Sequence, residues 1–260
     1  MELPTDQAVA LYKTSDSLSE IRDKATRHGA LERIYQGPFE DPVKESNKYL
    51  FARLLMDNVR NSIAPRNRKR IVTRELVNFV EMKKRQGSDQ IVILSIGAGS
   101  ARAILDGTVV LEGRGARVRL ILVDRDFKAL LYAEGLAKEK GIKSYLETIN
   151  ANFIQFIQNN KMREQIDFIE IVGLFDYLED KYIQFLLSNI RDYMRKGGTI
   201  LFSNIVANDE EKFLHTVVGW PQMIYRTEGR LFRLAHEVGY KEIDLIQEST
   251  GIYNLIKASK

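Results

Sequence analysis

The sequence predicts an α/β fold, in which a mostly parallel sheet of about seven strands follows a helical amino-terminal segment. Apolar residues recur every three or four positions before residue 88, whereas short apolar, β-branched runs alternate with helical patterns after it. The chain has 260 residues, 44% of them apolar, and is long enough to bury such a core. We therefore expect a helical cap over residues 1–87 and an α/β domain over residues 88–260.

The amino-terminal segment has the spacing of amphipathic helices. Helical periodicity marks three stretches, LSEIRDKATRHGALERIY, ESNKYLFARLLMDNVRNSI and RKRIVTRELVNFVEMKKR. Pro38 and Pro42 are expected to separate the first stretch from the second, and Pro65 the second from the third. Gly87 begins the turn that leads into the sheet.

Strand candidates follow one another from residue 90 onward. They are IVILSI, VRLILVD, SYLETIN, IDFIEIVG, GTILFSNI, KEIDLIQE and IYNLIKAS. Helical patterns between them cover residues 101–111, 127–140, 181–194 and 230–238. Helical crossovers join parallel strands, so most of the sheet is predicted to be parallel. Only a turn at residues 249–251 separates the last two strands, which are therefore expected to be antiparallel.

Composition excludes several classes of protein. The chain has no cysteine, so it has no disulfide scaffold, thiolate metal site or cysteine nucleophile. Its three histidines have no partner at ligand spacing, so no metal site is predicted. The longest apolar runs are far shorter than the ~20 residues that span a membrane. No basic stretch followed by an apolar run marks the amino terminus, and the expected location is the cytoplasm.

The net charge is +4, and many of the basic residues lie in one segment, residues 60–74. The basic residues of this segment are Arg60, Arg66, Arg68, Lys69, Arg70 and Arg74. Proteins that bind single-stranded nucleic acid interleave such charges with aromatic residues, which this segment lacks. A solvated helix face is the expected structure, and a dock for a phosphate or carboxylate substrate is the alternative.

The pattern most informative about function lies where the first predicted strand turns into the first helix of the α/β domain. SIGAGSA places Gly97 and Gly99 in this turn, where glycine lets the backbone approach a ligand and the helix start presents unpaired amide groups. Asp124 ends the second strand, where nucleotide-binding sheets hold ribose hydroxyls. The third glycine of GxGxxG is missing, and no GxxxxGK[ST] occurs, which disfavours dinucleotide and phosphate-loop sites.

In this order of features the sequence resembles the class I S-adenosylmethionine-dependent methyltransferases, which have a Rossmann-like sheet. The resemblance covers about residues 90–258, including IDFIEIVGLFDYLED at the fourth strand. Ser95 stands where many members have an acid that bonds the methionine amino group, and Ala101 where many have a third glycine. The resemblance implies S-adenosyl-L-methionine as cofactor. It also implies a set of cofactor-binding residues: Gly97, Ala98, Gly99, Ser100, Asp124, Arg125, Asn150, Ala151, Asn152, Gly173, Leu174 and Phe175.

A narrower resemblance concerns GLFDYLED, GGTILFSN and WPQMIYRTEGRLFRLA. Together these segments resemble bacterial methyltransferases of 3-hydroxypalmitic acid methyl ester biosynthesis. This resemblance implies a small or lipid-like acceptor, methylated on a carboxylate or a hydroxyl group.

The chemistry of methyl transfer defines what the acceptor side must provide. A sulfonium methyl moves in line to an acceptor lone pair, so the enzyme positions both molecules and excludes water. A carboxylate acceptor needs a cation such as Arg226, whereas a hydroxyl or amine needs a base, for which Asp176 and His215 are candidates. Tyr177 lies in the same loop as Asp176 and is the third catalytic candidate. Candidate substrate contacts are Tyr49, Asn204, Trp220, Tyr225 and Arg226, and candidate lid residues are Tyr35 and Phe39.

Two other functions stay open beside small-molecule methylation. A nucleic-acid or protein methyltransferase would dock its substrate on the basic residues from Arg66 to Arg74. GLFDYLED lacks the proline of the NPPY and DPPY motifs of base-modifying enzymes with this fold, so a nucleic-acid substrate is not expected. A non-catalytic module would bind the cofactor without turnover. The sequence predicts no oligomeric state.

Overall fold

The structure, a computed structural model, describes residues 5–37, 47–159 and 162–260. The helices before the sheet are α1 Thr5–Tyr12, α2 Asp16–Asp23, α3 His28–Gln36, α4 Asn47–Asn58 and α5 Arg60–Arg85. The strands are β1 Val92–Ile96, β2 Arg119–Asp124, β3 Tyr145–Asn150, β4 Ile166–Ile171, β5 Met194–Ile205, β6 Lys241–Gln247 and β7 Tyr253–Ser259. The helices of the sheet region are α6 Arg102–Gly113, α7 Phe127–Glu139, α8 Phe153–Asn159, α9 Asp180–Tyr193, α10 Glu211–Phe213 with a π-helix at Leu214–Val218, and α11 Glu228–Glu237.

The strands form a seven-stranded sheet in the order β3-β2-β1-β4-β5-β7-β6. The first five strands of the chain are parallel, and β7 is antiparallel to both of its neighbours. β1 and β4 are buried along their whole length, because helices cover both faces of the sheet. The predicted mostly parallel sheet with an antiparallel last strand is confirmed.

The strand order creates a crevice at the carboxyl ends of β1 and β4. β2 and β3 lie on one side of β1, whereas β4 and β5 lie on the other. The connections after β1 and β4 therefore diverge to opposite sides. Open α/β sheets bind their ligands at such a switch in strand order.

The helices before the sheet differ in three places from the prediction. α1 precedes the first predicted stretch. The first predicted stretch is two helices, α2 and α3, with Thr26 in a left-handed conformation between them at φ 66°. Pro65 does not separate two helices: it lies inside α5, and the break falls at Val59, whose backbone is extended. Pro38, Pro42 and Phe39 lie outside the described residues.

The start of α5 is determined by a side chain from a distant part of the sequence. The Glu210 carboxylate accepts hydrogen bonds from the backbone N–H groups of Arg60 and Asn61, at 2.9 and 2.8 Å. A helix start leaves its first four amide groups unpaired, and Glu210 satisfies two of them. Because this cap comes from beyond the fifth strand, the local sequence gives no sign of it.

We expect Glu210→Ala to lower the free energy of unfolding by about 1–2 kcal/mol, the typical contribution of a helix cap. The substitution leaves two backbone amides without their acceptor and removes one of the two acceptors of the Asn61 side chain. Urea denaturation followed by circular dichroism measures the change. Glu211→Ala is the matched control, because Glu211 lies 3.8 Å from His215 Nε2 and away from α5. Equal losses in the two variants would contradict the capping role.

Apolar packing joins α5 to the sheet. Val72, Leu76, Phe79 and Val80 of α5 belong to one buried cluster with residues of β1, β2, α6 and α7. A second cluster fills the other face of the sheet with α9 and α11. The helices α1 to α4 pack with the π-helix in a third cluster. The position of a domain boundary at residue 88 stays a prediction.

Candidate cofactor and substrate site

A cavity of about 660 Å³ lies at the carboxyl ends of β1, β2 and β4. This volume is in the range of small-molecule binding sites. The loop after β1 and the loop after β4 form two of its walls, and α3 and α5 contribute the roof. Of the predicted site residues, the cavity is lined by Gly97, Ala98, Gly99, Ser100, Asp124, Arg125, Ala151, Asn152, Gly173, Leu174, Asp176, Tyr177 and Trp220.

The glycine loop, residues 97–101, has left-handed backbone conformations at alternate positions. Gly97 and Gly99 have φ angles of 70° and 54°. A Cβ atom at residue 97 would lie 3.3 Å from Leu174 Cβ, so glycine also allows the two loops to approach each other. Ala101 has φ 51°, which costs an L-residue about 1–2 kcal/mol. Ala101 thus keeps the backbone conformation that a third glycine would favour.

Asp124 connects the glycine loop to the end of β2. Its carboxylate accepts hydrogen bonds from the backbone N–H groups of Gly99 and Asp126, both at 2.8 Å. Each carboxylate oxygen accepts about two hydrogen bonds, so Asp124 retains capacity for the hydroxyls of a ribose. The Asp124 carboxylate can therefore bind a nucleoside, as the sequence predicts, and its bond to Gly99 holds the glycine loop in place.

Asn150 supports this strand end and does not line the cavity. Its amide donates to the carbonyl oxygens of Asp124 and Arg125, at 3.1 and 3.0 Å. Backbone carbonyls thus occupy both side-chain donors of Asn150. Its direct contact with an adenine ring, which the resemblance implied, stays a prediction. Ala151 and Asn152 are the residues after β3 that do line the cavity.

The helix α8 begins beside this part of the cavity and is absent from the sequence-based prediction. The side chain of Asn152 accepts from the backbone N–H of Gln155 at 3.0 Å, and the Gln155 side chain accepts from that of Asn152 at 3.1 Å. This reciprocal arrangement is a capping box. Its signal is present in NFIQ, where an amide residue precedes a glutamine by three positions.

The roof helix α3 is bonded to the glycine loop through Glu32. This side chain is 4% exposed and accepts hydrogen bonds from the Ser100 hydroxyl at 2.5 Å, Arg102 Nε at 2.7 Å and the Tyr132 hydroxyl at 3.0 Å. The bonds hold α3 over the loop, and Tyr35 of α3 lines the cavity where a lid residue was expected. The sequence contains no local signal for this contact, because the partners are far apart in the chain.

Two buried charged residues also line the cavity. Arg68 of α5 is 3% exposed, and its guanidinium carbon lies 4.1 Å from the centre of the Tyr253 ring. Arg68 Nη1 has no hydrogen-bond partner in the described part of the chain and lies 3.7 Å from Asp176 Oδ2. Glu170 of β4 is 7% exposed and accepts a 2.5 Å hydrogen bond from the Ser95 hydroxyl. A glutamate inside the apolar run IDFIEI is the sequence signal for Glu170 that was overlooked.

Burial changes the proton affinity of the carboxyl groups at this end of the cavity. It raises the pKa of Glu170 to about 7, since the charged form loses its hydration, and the Ser95 hydroxyl and the Arg68 charge offset only part of this effect. Burial also raises the pKa of Asp176, against the opposing charges of Arg68 and Arg226. Glu170 is therefore close to the midpoint of its titration at neutral pH.

We expect the stability of the protein to fall with rising pH because of Glu170. Folding raises the pKa of this carboxyl from 4.5 to about 7. Its contribution to the free energy of unfolding is therefore complete below pH 4.5 and is lost as the pH rises through 7. The Glu170→Gln variant has an amide that cannot ionise, so its free energy of unfolding should rise by up to about 3 kcal/mol relative to that of the wild type over this interval. Denaturant titrations from about pH 5 to about pH 8 measure the difference. A difference independent of pH would contradict the raised pKa.

Arg226 is buried, at 5% exposed, and does not line the cavity. Its guanidinium donates to Asp180 Oδ1 at 2.7 Å, the Phe175 carbonyl at 2.9 Å and Asn204 Oδ1 at 2.6 Å. It also donates to the Leu178 carbonyl. These bonds occupy most of the guanidinium donors and connect the loop after β4 to β5. The role of Arg226 in orienting an acceptor carboxylate stays a prediction.

Three other predicted residues are buried away from the cavity lining. Asn204 donates to the Ile224 carbonyl at 2.7 Å and is fully buried. Phe175 packs against Phe202, with ring centres 5.2 Å apart, and Tyr49 is buried in α4. None of these three side chains lines the cavity, and their direct ligand contacts stay predictions.

His215 and Tyr225 bond to each other outside the cavity lining. His215 Nδ1 lies 2.8 Å from the carbonyl oxygen of Trp220, and Nε2 lies 3.3 Å from the Tyr225 hydroxyl. Because a carbonyl oxygen only accepts, Nδ1 carries the proton of the neutral ring and Nε2 accepts from Tyr225. The roles of His215 as a base and of Tyr225 as a substrate contact stay predictions.

The acceptor end of the cavity contains the other predicted residues. Tyr177 and Trp220 are joined by a 2.7 Å hydrogen bond from the indole N–H to the phenolic oxygen. Asp176 lies beside them, 2% exposed, and accepts from the backbone N–H of Ile205 at 2.8 Å. A smaller apolar cavity of about 40 Å³ shares the walls Trp220 and Tyr253 with the main cavity. It has room for roughly three water-sized groups.

Four of the six basic residues between positions 60 and 74 of α5 are paired with nearby acids. The cations paired with acids are Arg60 with Glu210, Arg66 with Asp57, Lys69 with Asp106 and Arg74 with Glu75. Arg68 is buried against the cavity. Binding to a nucleic-acid backbone requires a row of cations that can neutralise successive phosphates.

In the described residues, no cluster of histidine and carboxylate side chains could hold a metal ion, and no helix is long and apolar enough to cross a membrane.

Comparison with known proteins identifies the fold. No protein-family model and no curated protein matches the sequence. The chain is similar to a possible exported protein of Bordetella parapertussis, at 13% identity and a TM-score of 0.69, over 100% of this chain and 99% of that one. It is similar to magnesium protoporphyrin IX methyltransferase of Synechocystis PCC 6803 with bound S-adenosylmethionine, at 10% identity and 0.59, over 94% and 97%. It is also similar to the CurJ carbon methyltransferase, at 13% identity and 0.63, over 100% and 72%. The chain has the fold of the class I S-adenosylmethionine-dependent methyltransferases.

Proposed function

We propose that the protein is an S-adenosylmethionine-dependent methyltransferase that acts on a carboxylate or hydroxyl group of a small molecule. The observation that carries the proposal is the cavity at the switch in strand order, with the glycine loop and Asp124 in its wall. Structural neighbours with the same fold include methyltransferases of small molecules, one of them with S-adenosylmethionine bound. The cytoplasm stays the predicted location.

The residues of the cavity fit this cofactor. Apart from Gly99 and its two chain neighbours, none of the residues that the structure describes has a heavy atom within 4 Å of the position of a Cβ at Gly99, so the loop leaves space for a ligand to approach. Asp124 can accept from ribose hydroxyls, and Ala151 and Asn152 lie beside it at the end of β3. Arg68 presents a buried donor without a partner in the described residues, which a charged ligand group would satisfy.

The cofactor, when bound, supplies a methyl group on a sulfonium. The task of the protein is to hold the acceptor in line and to exclude water. The helices α3 and α5 cover the cavity, and Glu32 fixes α3 to the glycine loop. Leu174 of the loop after β4 lies against Gly97, which supports an acceptor end next to the expected sulfonium.

The groups at the acceptor end allow two kinds of oxygen nucleophile. Burial raises the pKa of Asp176, so this carboxylate is a stronger proton acceptor for a hydroxyl than an ordinary aspartate. A carboxylate acceptor is ionised already and needs no base. The small apolar cavity next to Tyr253 suits a short apolar substituent, whereas a long acyl chain would exceed its 40 Å³.

Methyl transfer from labelled S-adenosylmethionine tests the proposed function. The purified protein is incubated with short and long carboxylic acids, phenols, RNA and a protein extract, and products are detected by mass spectrometry. A labelled small molecule that disappears in Asp124→Ala supports the proposal. Transfer to RNA or protein alone would contradict the small-molecule acceptor, and cofactor binding without any product would indicate a non-catalytic module.

A further inference from the structure

We propose that Arg68 and Glu170 form the subsite for the charged end of the methyl donor. Arg68 binds its carboxylate, and Glu170 binds its ammonium group. The subsite depends on the proposed function, since its ligand is the amino-acid end of S-adenosylmethionine.

Both side chains are built into the wall of the cavity. Arg68 is 3% exposed and Glu170 is 7% exposed, and both line the cavity. Burial of a charged group is costly unless the group is paired. Arg68 Nη1 lacks a hydrogen-bond partner in the described residues, although Asp176 Oδ2 is 3.7 Å away. A ligand oxygen that accepts from Nη1 would remove this cost.

The position of the two residues matches the far end of a nucleoside ligand. Glu170 of β4 is paired in register with Ser95 of β1. Ser95 lies two residues before Gly97. A Cβ at Gly173 would lie 3.4 Å from Arg68 Nη2, so the guanidinium lies against the loop after β4. Asp124 ends β2, two strands from β4, which corresponds to a distance of about 10 Å across the sheet. A ligand with its ribose at Asp124 can extend across β1 to reach Arg68 and Glu170.

The charges favour a zwitterion over a simple anion or cation. An anion at Arg68 would meet the carboxylates of Glu170 and Asp176, and a cation at Glu170 would meet Arg68. A ligand end with both charges satisfies each side chain and leaves the net charge of the wall unchanged. Ser95 stands where the resembling methyltransferases have an acid, and it donates its hydroxyl to Glu170. Glu170 supplies this carboxylate from the neighbouring strand.

Paired titrations of the full chain separate this subsite from the rest of the site. Calorimetry at about pH 8 compares S-adenosylhomocysteine with 5′-methylthioadenosine, which has the same adenosine and sulfur but no amino-acid end. Glu170→Gln and Arg68→Met should each lower the affinity for S-adenosylhomocysteine about tenfold to hundredfold, the effect of losing a hydrogen bond to a charged group. The affinity for 5′-methylthioadenosine should stay within about twofold of the wild type.

Additional variants separate ligand binding from effects on folding. Arg70→Met, on the exposed side of the same helix, is the matched control and should change neither affinity. The double variant Ser95→Asp with Glu170→Ser should recover affinity that Glu170→Ser alone loses, because the carboxylate returns on the adjacent strand. Equal losses for both ligands, or unchanged affinity for S-adenosylhomocysteine, would overturn the subsite. A wild-type protein that binds neither ligand would instead reject the proposed function, and the subsite with it.

Discussion

Asp124→Ala is expected to lower the affinity for S-adenosylhomocysteine at least about a hundredfold. The variant removes the carboxylate that would accept ribose hydroxyls, and it also releases the backbone N–H groups of Gly99 and Asp126. Hydrogen bonds to a charged group contribute about 1.5–3 kcal/mol each, so the loss of two corresponds to a hundredfold or more. Calorimetric titration measures the change.

Two further variants define the cause of this loss. Asp124→Asn keeps one acceptor oxygen and should show a smaller loss than Asp124→Ala. Asp244→Ala, at an exposed position of the edge strand β6, should bind like the wild type. Full affinity in a folded Asp124→Ala protein would remove Asp124 from the cofactor site.

Arg226→Met is expected to lower the free energy of unfolding by about 3–5 kcal/mol, the usual effect of removing one partner from a buried, bonded charge. The substitution leaves Asn204 Oδ1 and the carbonyl groups of Phe175 and Leu178 without their donor. It also removes one of the two arginines that bind Asp180. Equilibrium denaturation in urea measures the loss.

A neighbouring arginine is the control for Arg226. Arg230 is half-buried and binds the other oxygen of Asp180. Arg230→Met should therefore lower the free energy of unfolding by about 1 kcal/mol or less. If Arg226→Met were as stable as the wild type and raised only the KM for a carboxylate acceptor, the role expected from the sequence would be supported.

The sheet was predictable because its signals are local. β1 and β4 are buried on both faces, so their sequences, VILSI and IDFIEI, are rich in apolar and β-branched residues. The short turn before β7 required the antiparallel strand. The start of α5 was not predictable, because the Glu210 carboxylate that caps it lies far away in the sequence.

The residues at the two ends of the cavity also differed in how well the sequence predicted them. Gly97 and Asp124 belong to loops that directly follow strands, so the topology alone brings them to one edge of the sheet. Arg226 and His215 stand in segments where a polar side chain can face a ligand or satisfy a buried backbone group. The partners of Arg226, including Asp180, favour the second of these roles and come from another loop.

The residues that sequence reasoning missed depend on helix orientation. Arg68 looked like one member of a surface cluster, but the face of α5 on which it lies is buried against Tyr253. Glu32 lies in an amphipathic helix with no sign that its carboxylate meets Ser100. Such contacts between helices and a distant loop become visible only in three dimensions.

The central claim is that the cavity at the glycine loop binds the methyl donor. Calorimetric titration of the wild-type protein with S-adenosylmethionine, S-adenosylhomocysteine and NAD tests it most directly. We expect binding of the two sulfur nucleosides and no binding of NAD, because the loop lacks the third glycine of the dinucleotide pattern. Binding of NAD alone, or of none of the three, would contradict the account.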